Sequence, residues 1–126
     1  MNMNRNFVTI GAVAGAIGVG LGAFGAHSLS DLLAPDRFEV YQTGVEYLTL
    51  HAIMLFITGW VNHQRNERMF MYSGFGFILG MILFSGSLVV LAVANVRIMG
   101  AVAPIGGLCF IVGWLLLGWG AFRSIR

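Results

Sequence analysis

Apolar residues dominate four stretches of the chain, and short polar segments separate them. The stretches run from Phe7 to about Ala26, from about Gly44 to Val61, from about Met69 to Ala94 and from about Ala101 to Phe122. A helix of about 20 apolar residues crosses the hydrocarbon of a bilayer, so each stretch is a candidate span. The second carries a polar helical lead-in from about Asp36. The pattern predicts an all-α fold, a four-helix transmembrane bundle forming a single membrane domain over 1–126. Two connections are short, Asn62 to Arg68 and Asn95 to Gly100, and short connections make consecutive helices antiparallel neighbours.

Small residues recur with helical spacing inside these stretches. Gly11, Gly15, Gly18 and Gly22 form one stripe of the first helix, and Ile10, Val13, Ile17, Leu21 and Phe24 form the opposite one. A smooth stripe lets another backbone approach closely, while a bulky stripe suits lipid. Ser73, Gly76, Gly80 and Ser87 repeat the device in the third helix, and Gly106, Gly113 and Gly120 stand at heptad spacing in the fourth. Such seams imply a tight bundle, packed within the chain or against a second copy.

Composition agrees with a lipid-solvated chain. Of 126 residues, 58% are hydrophobic and 10% charged, against about 45–50% and about 25% in soluble domains. A water-soluble chain this short could not hide so much apolar surface. The net charge is +2 and every cation is Arg; with no basic run and no finger spacing, no nucleic-acid partner is expected. The lone Cys109 reads as a small packing residue. The first span has some features of a signal peptide, with Arg5 ahead of it and Ala23, Phe24 and Gly25 as a small-residue site. Its length and periodic glycines favour a retained helix.

Short cytoplasmic loops are enriched in Arg and Lys. One side of a four-span chain would carry Arg5, Arg65, Arg68, Arg123 and Arg126, the other only Arg37 and Arg97. The bias predicts both termini in the cytoplasm, with Asp31, Asp36, Glu39 and Glu46 toward the outside.

Ionisable residues inside a span are costly and mark functional candidates. Glu46 and His51 fall in the second helix, with His51 roughly 7–8 Å deeper, and His27 ends the first. Gln42, Glu46 and Thr49 share one face of the second helix; Tyr47 and His51 share an adjacent one. Each has a plainer reading: Glu46 at the interface near the helix start, His27 capping carbonyls, His51 as a hydrogen-bonded core residue. His27, Glu46 and His51 could ligate a metal in principle, but no paired ligand spacing supports one. Ser85 and Ser87 lie in a transmembrane FSGS run with no adjacent base. The GAVAGAIGVG run has the glycines of a dinucleotide fingerprint without the strand that must precede it. No catalytic residue, cofactor or metal is expected.

Four segments together, GAFGAH (Gly22 to His27), QTGVEYLTLH (Gln42 to His51), LFSGSL (Leu83 to Leu88) and PIGG (Pro104 to Gly107), resemble the YgdD/YwdK-like family of small inner-membrane proteins, a family of unknown function with a small human transmembrane relative. The resemblance implies a four-span bacterial inner-membrane protein and no known reaction. On the predicted topology all four segments lie in the outer half of the membrane. The expectation is a polar cluster there of His27, Gln42, Glu46, His51, Ser85 and Ser87, with Arg37 and Arg97 as rim charges. Such a cluster would make the chain a non-enzymatic membrane component binding lipid, a small ligand or a partner membrane protein, with a homo-oligomer possible. A small proton-coupled transporter or channel using Glu46 and His51 is the alternative, and an intramembrane enzyme ranks behind both.

Overall fold

A computed structural model describes residues 2–125; Arg126, counted in the arginine bias, lies outside the described residues. Among the described residues four helices are long and apolar enough to cross a membrane: α1 (Met3–Leu32), α2 (Pro35–Arg65), α3 (Arg68–Ala94) and α4 (Met99–Ser124). Each extends past its apolar stretch, because helical hydrogen bonding continues into the polar flanks.

Local chemistry explains the breaks. Asn2 caps α1, its side chain accepting from the Arg5 backbone N–H at 3.3 Å. Pro35 opens α2 at its first helical position, where its missing N–H costs nothing. Asn66 ends α2 and Asn95 ends α3, both left-handed, at φ 53° and 55°. Asn is one of the few side chains that tolerate this conformation, and each amide closes the helix onto a carbonyl, Asn62 and Leu91 respectively. The α2–α3 connection therefore shrinks to Asn66 and Glu67.

The helices pack in chain order: α1 on α2, α2 on α3, α3 on α4. The two central helices bury most, with 39% of the apolar window of α2 inside the bundle against 17% for α1. Phe7 is fully buried where α1 meets both central helices. Its ring fills the space above Gly74 of α3 and lies edge-on to Phe75 at 5.4 Å. The lipid-facing stripe of α1 holds Ile10, Val13, Ile17 and Phe24, all exposed. Leu21 departs from it, half-buried beside Tyr41.

The glycine seams join helices within the chain, with a corrected register. A Cβ on Gly11 would meet the Ala52 oxygen and Phe56 nitrogen at 2.8 Å, and one on Gly18 would meet Thr49 Oγ1 at 2.5 Å. Gly15 has nothing within 4 Å, and Gly22 only the tip of Val45 at 3.9 Å. The glycines of the α1 seam stand seven apart, at Gly11, Gly18 and Gly25, with Ala14 buried between the first two, because a period of about 3.5 residues keeps a helix in line with its partner. On the α3–α4 interface, Gly76 meets the Cys109 and Gly113 backbone, Gly113 receives the Phe77 ring, Gly80 the Phe110 ring, and Gly120 that of Phe70. Ser73 adds a buried bond to the Gly113 carbonyl at 2.7 Å.

Two π-helical turns interrupt the regular winding, at Gly25–Leu29 in α1 and at Met81–Gly86 in α3. A π turn inserts one residue and shifts every later side chain around the axis. The second turn lies between two glycines. A Cβ on Gly106 of α4 would overlap the Phe84 and Leu83 backbone, and one on Gly44 of α2 would stand 3.2 Å from the Ser85 oxygen.

Candidate functional site

The predicted polar residues divide between different faces of α2. Glu46 and His51 are five residues apart, which on a helix leaves them roughly 140° apart around the axis. His51 turns inward and is only 1% exposed, whereas Glu46 and Gln42 are exposed. Ser85 lies against Gly44, and Glu46, two residues further along α2, points roughly 200° away from that contact. His27 is exposed on the π turn of α1. The single cluster of His27, Gln42, Glu46, His51, Ser85 and Ser87 is therefore not assembled.

His51 sits in an aromatic box. Its ring stacks on Phe110 at 3.5 Å between centroids with planes 12° apart, and lies near Tyr47, Phe77 and Trp114. Its Nδ1 lies 2.7 Å from the Tyr47 carbonyl, and its Nε2 lies 3.1 Å from the indole Nε1 of Trp114. A carbonyl only accepts and an indole N–H only donates. Those partners assign the neutral tautomer with the proton on Nδ1 and leave Nε2 as an acceptor. Both ring nitrogens are thus used within the protein. Trp114, the residue that completes this arrangement, lies 63 positions along the chain, and no local pattern in the sequence singles it out.

Glu46 and Gln42 instead line an open cleft between the end of α1 and the start of α2. Gly22 and Gly25 form one wall and Phe38 and Tyr41 the other, around a volume of about 170 Å³. The two aromatic rings are stacked, 6.3 Å apart with planes at 13°. Tyr41 is buried and donates from its hydroxyl to the Leu21 carbonyl, tying α1 to α2. Its ring lies against Gly25, where any Cβ would collide with it.

Neither predicted rim charge lines this cleft. Arg37 reaches across to α3 and donates through Nη2 to the Ala92 carbonyl at 2.6 Å, with Val93 further off at 3.4 Å. The last carbonyls of a helix lack intrahelical partners, so Arg37 caps α3. Arg97 is exposed in the α3–α4 connection. Ser85 and Ser87 are buried in α3, and Ser85 Oγ has no partner among the described residues. Among those residues no three His, Cys, Asp or Glu side chains converge as a metal site would require.

The fold and these sites define a small four-span membrane protein with an open cleft beside α2 and an aromatic box around the buried His51 that opens to one side through a cavity of about 310 Å³. The chain belongs to a family described as protein of unknown function (DUF423), whose profile matches residues 21–107. Among its curated relatives, the UPF0382 membrane protein SH2409 of Staphylococcus haemolyticus is 39% identical over 94% of this chain and 97% of its own length. The UPF0382 membrane protein YwdK of Bacillus subtilis is 37% identical over 88% of this chain and 91% of its own. The UPF0382 inner membrane protein YgdD of Escherichia coli K12 is 38% identical over 98% and 94%. No solved structure matches the chain.

Proposed function

We propose that this protein is a non-enzymatic component of the cytoplasmic membrane, with both termini inside, that holds a lipid by its amine-bearing headgroup in the cleft beside Glu46. The relative named as an inner membrane protein and the arginine bias support the location and orientation.

One observation carries the binding reading: Glu46 lines the cleft from an exposed position that faces away from the bundle interior. Taking the apolar stretch 44–61 as the span, Glu46 lies roughly 10 Å from its centre, about 5 Å inside the hydrocarbon edge. Ionisable residues at such depth ordinarily face the bundle interior and find a partner there. The described residues lining this cleft include no cation, so its complement is a positive group arriving from the lipid. The half-buried Phe38 ring adds an aromatic surface that attracts an ammonium, and the Gln42 amide can donate to a headgroup oxygen. The proton-coupled alternative lacks geometric support, because Glu46 and His51 face different sides of α2 and His51 has both nitrogens engaged.

The test is native mass spectrometry of protein extracted from membranes of equal phosphatidylethanolamine and phosphatidylglycerol content. Wild type should retain the amine lipid preferentially, and Glu46→Gln should lose that preference while keeping its fold. Equal retention of the amine lipid by both proteins would refute the proposal.

A further inference from the structure

A second cleft lies at the opposite end of the α1–α2 pair and has the opposite chemistry. It is formed where the first turns of α1 meet the last turns of α2, around about 220 Å³, and is lined by Asn2, Arg5, Val8, Trp60 and His63 among others. Among the described residues no acidic side chain lines it. Arg5 and His63 are both exposed, so their polar ends are available to a ligand. The two helices touch closely below them, since a Cβ on Gly59 would come within 2.9 Å of the Asn4 oxygen and Phe7 Cβ. That contact holds the two helix ends at a fixed spacing. Asn4 and Asn62 reinforce it with a side-chain bond of 2.6 Å.

Trp60 links the cleft to a more apolar surface. Trp60, 58% exposed, also borders an apolar groove with Phe56 and Ile57, one turn deeper along α2. Trp60 belongs to both linings, and an indole near the end of a span suits the level where headgroup meets acyl chain. A largely apolar cleft with a guanidinium and an imidazole at its rim, sharing Trp60 with an apolar groove, matches a molecule with an anionic head and a hydrocarbon tail.

We infer that this cleft binds an anionic phospholipid, its phosphate held by the Arg5 guanidinium and a His63 ring N–H and its acyl chain laid along Phe56, Ile57 and Trp60. Arginine suits the role because its planar fork pairs with two phosphate oxygens at once. The inference is independent of the Glu46 cleft, since it concerns the other end of the helix pair and a lipid that needs no amine.

The experiment measures phosphatidylglycerol retained by the intact protein in native mass spectrometry, with phosphatidylcholine as competitor. The comparison sets wild type against Arg5→Gln/His63→Gln and Arg97→Gln, the last removing an exposed charge at the far end of the bundle. The double variant should retain roughly tenfold less phosphatidylglycerol, and Arg97→Gln as much as wild type. Melting of each variant in detergent checks that the fold is kept; a double variant that melts early is replaced by the separate single variants. Undiminished retention by the substituted proteins, or an equal loss in Arg97→Gln, would overturn the site. If inorganic phosphate at millimolar concentration displaced the lipid completely, the cleft would be a small-anion site and the lipid occupant would be refuted.

Discussion

Two chemically identical substitutions, Gly106→Ala and Gly15→Ala, separate helix packing from helix propensity. Both glycines are inside helices, so both replacements gain the same intrinsic preference, about 0.8–1 kcal/mol in a helix interior. Their surroundings differ. The Cβ at position 15 meets nothing within 4 Å, whereas at position 106 it would overlap the backbone of Leu83 and Phe84. Backbone cannot rotate aside as a side chain can, and the π turn it belongs to is held from the other side by Gly44. Overpacking typically costs about 1–3 kcal/mol, and occasionally more. Gly106→Ala should therefore be destabilised by up to about 2 kcal/mol net, and Gly15→Ala stabilised by up to about 1 kcal/mol. The gap between them, about 1–3 kcal/mol, corresponds to roughly 5- to 150-fold in the unfolding equilibrium. Titration of the detergent-solubilised protein with sodium dodecyl sulfate, followed by tryptophan fluorescence, measures it. Equal stability of the two variants would refute the packing argument. A destabilised Gly15→Ala would mean that the α1 face is covered by another molecule.

Trp114→Phe keeps an aromatic ring but removes the N–H that satisfies His51 Nε2, and a buried unpaired acceptor costs about 1–3 kcal/mol. The loss should vanish in a His51→Phe background; the same cost in both backgrounds, measured in the detergent titration, would show that the bond is immaterial. Arg37→Met keeps the aliphatic stem but leaves the Ala92 and Val93 carbonyls uncapped. It should cost about 1.5–3 kcal/mol as a lost charge-assisted bond, while the exposed Arg97→Met should stay within about 0.5 kcal/mol; identical melting of the two would refute the capping role.

The four helices and their order were legible because membrane solvent imposes a one-dimensional rule: backbone polar groups must be satisfied within each span, so length and apolarity alone predict a helix. The smooth and bulky faces of α1 were legible for a similar reason, since a fixed 3.6-residue period assigns faces from spacing. Which glycines touch a neighbour was not legible. Gly15 and Gly22 share the stripe of Gly11 and Gly18 yet face open space or little else, because the crossing of α1 on α2, and the seven-residue repeat it selects, belong to both helices together. The polar residues show the same division. Their rarity within apolar runs identified Glu46 and His51 as positions that need a partner, but partners are set by tertiary packing. His51 found Trp114 on α4, Arg37 found the end of α3, and Glu46 was left exposed in a cleft. The π turn at Met81–Gly86 shifts the phase of α3 midway, so extrapolating one helical face through it cannot place Ser85 and Ser87. Composition and period are properties of single segments and can be read from the chain; rotation about a helix axis is decided only when another helix packs against it.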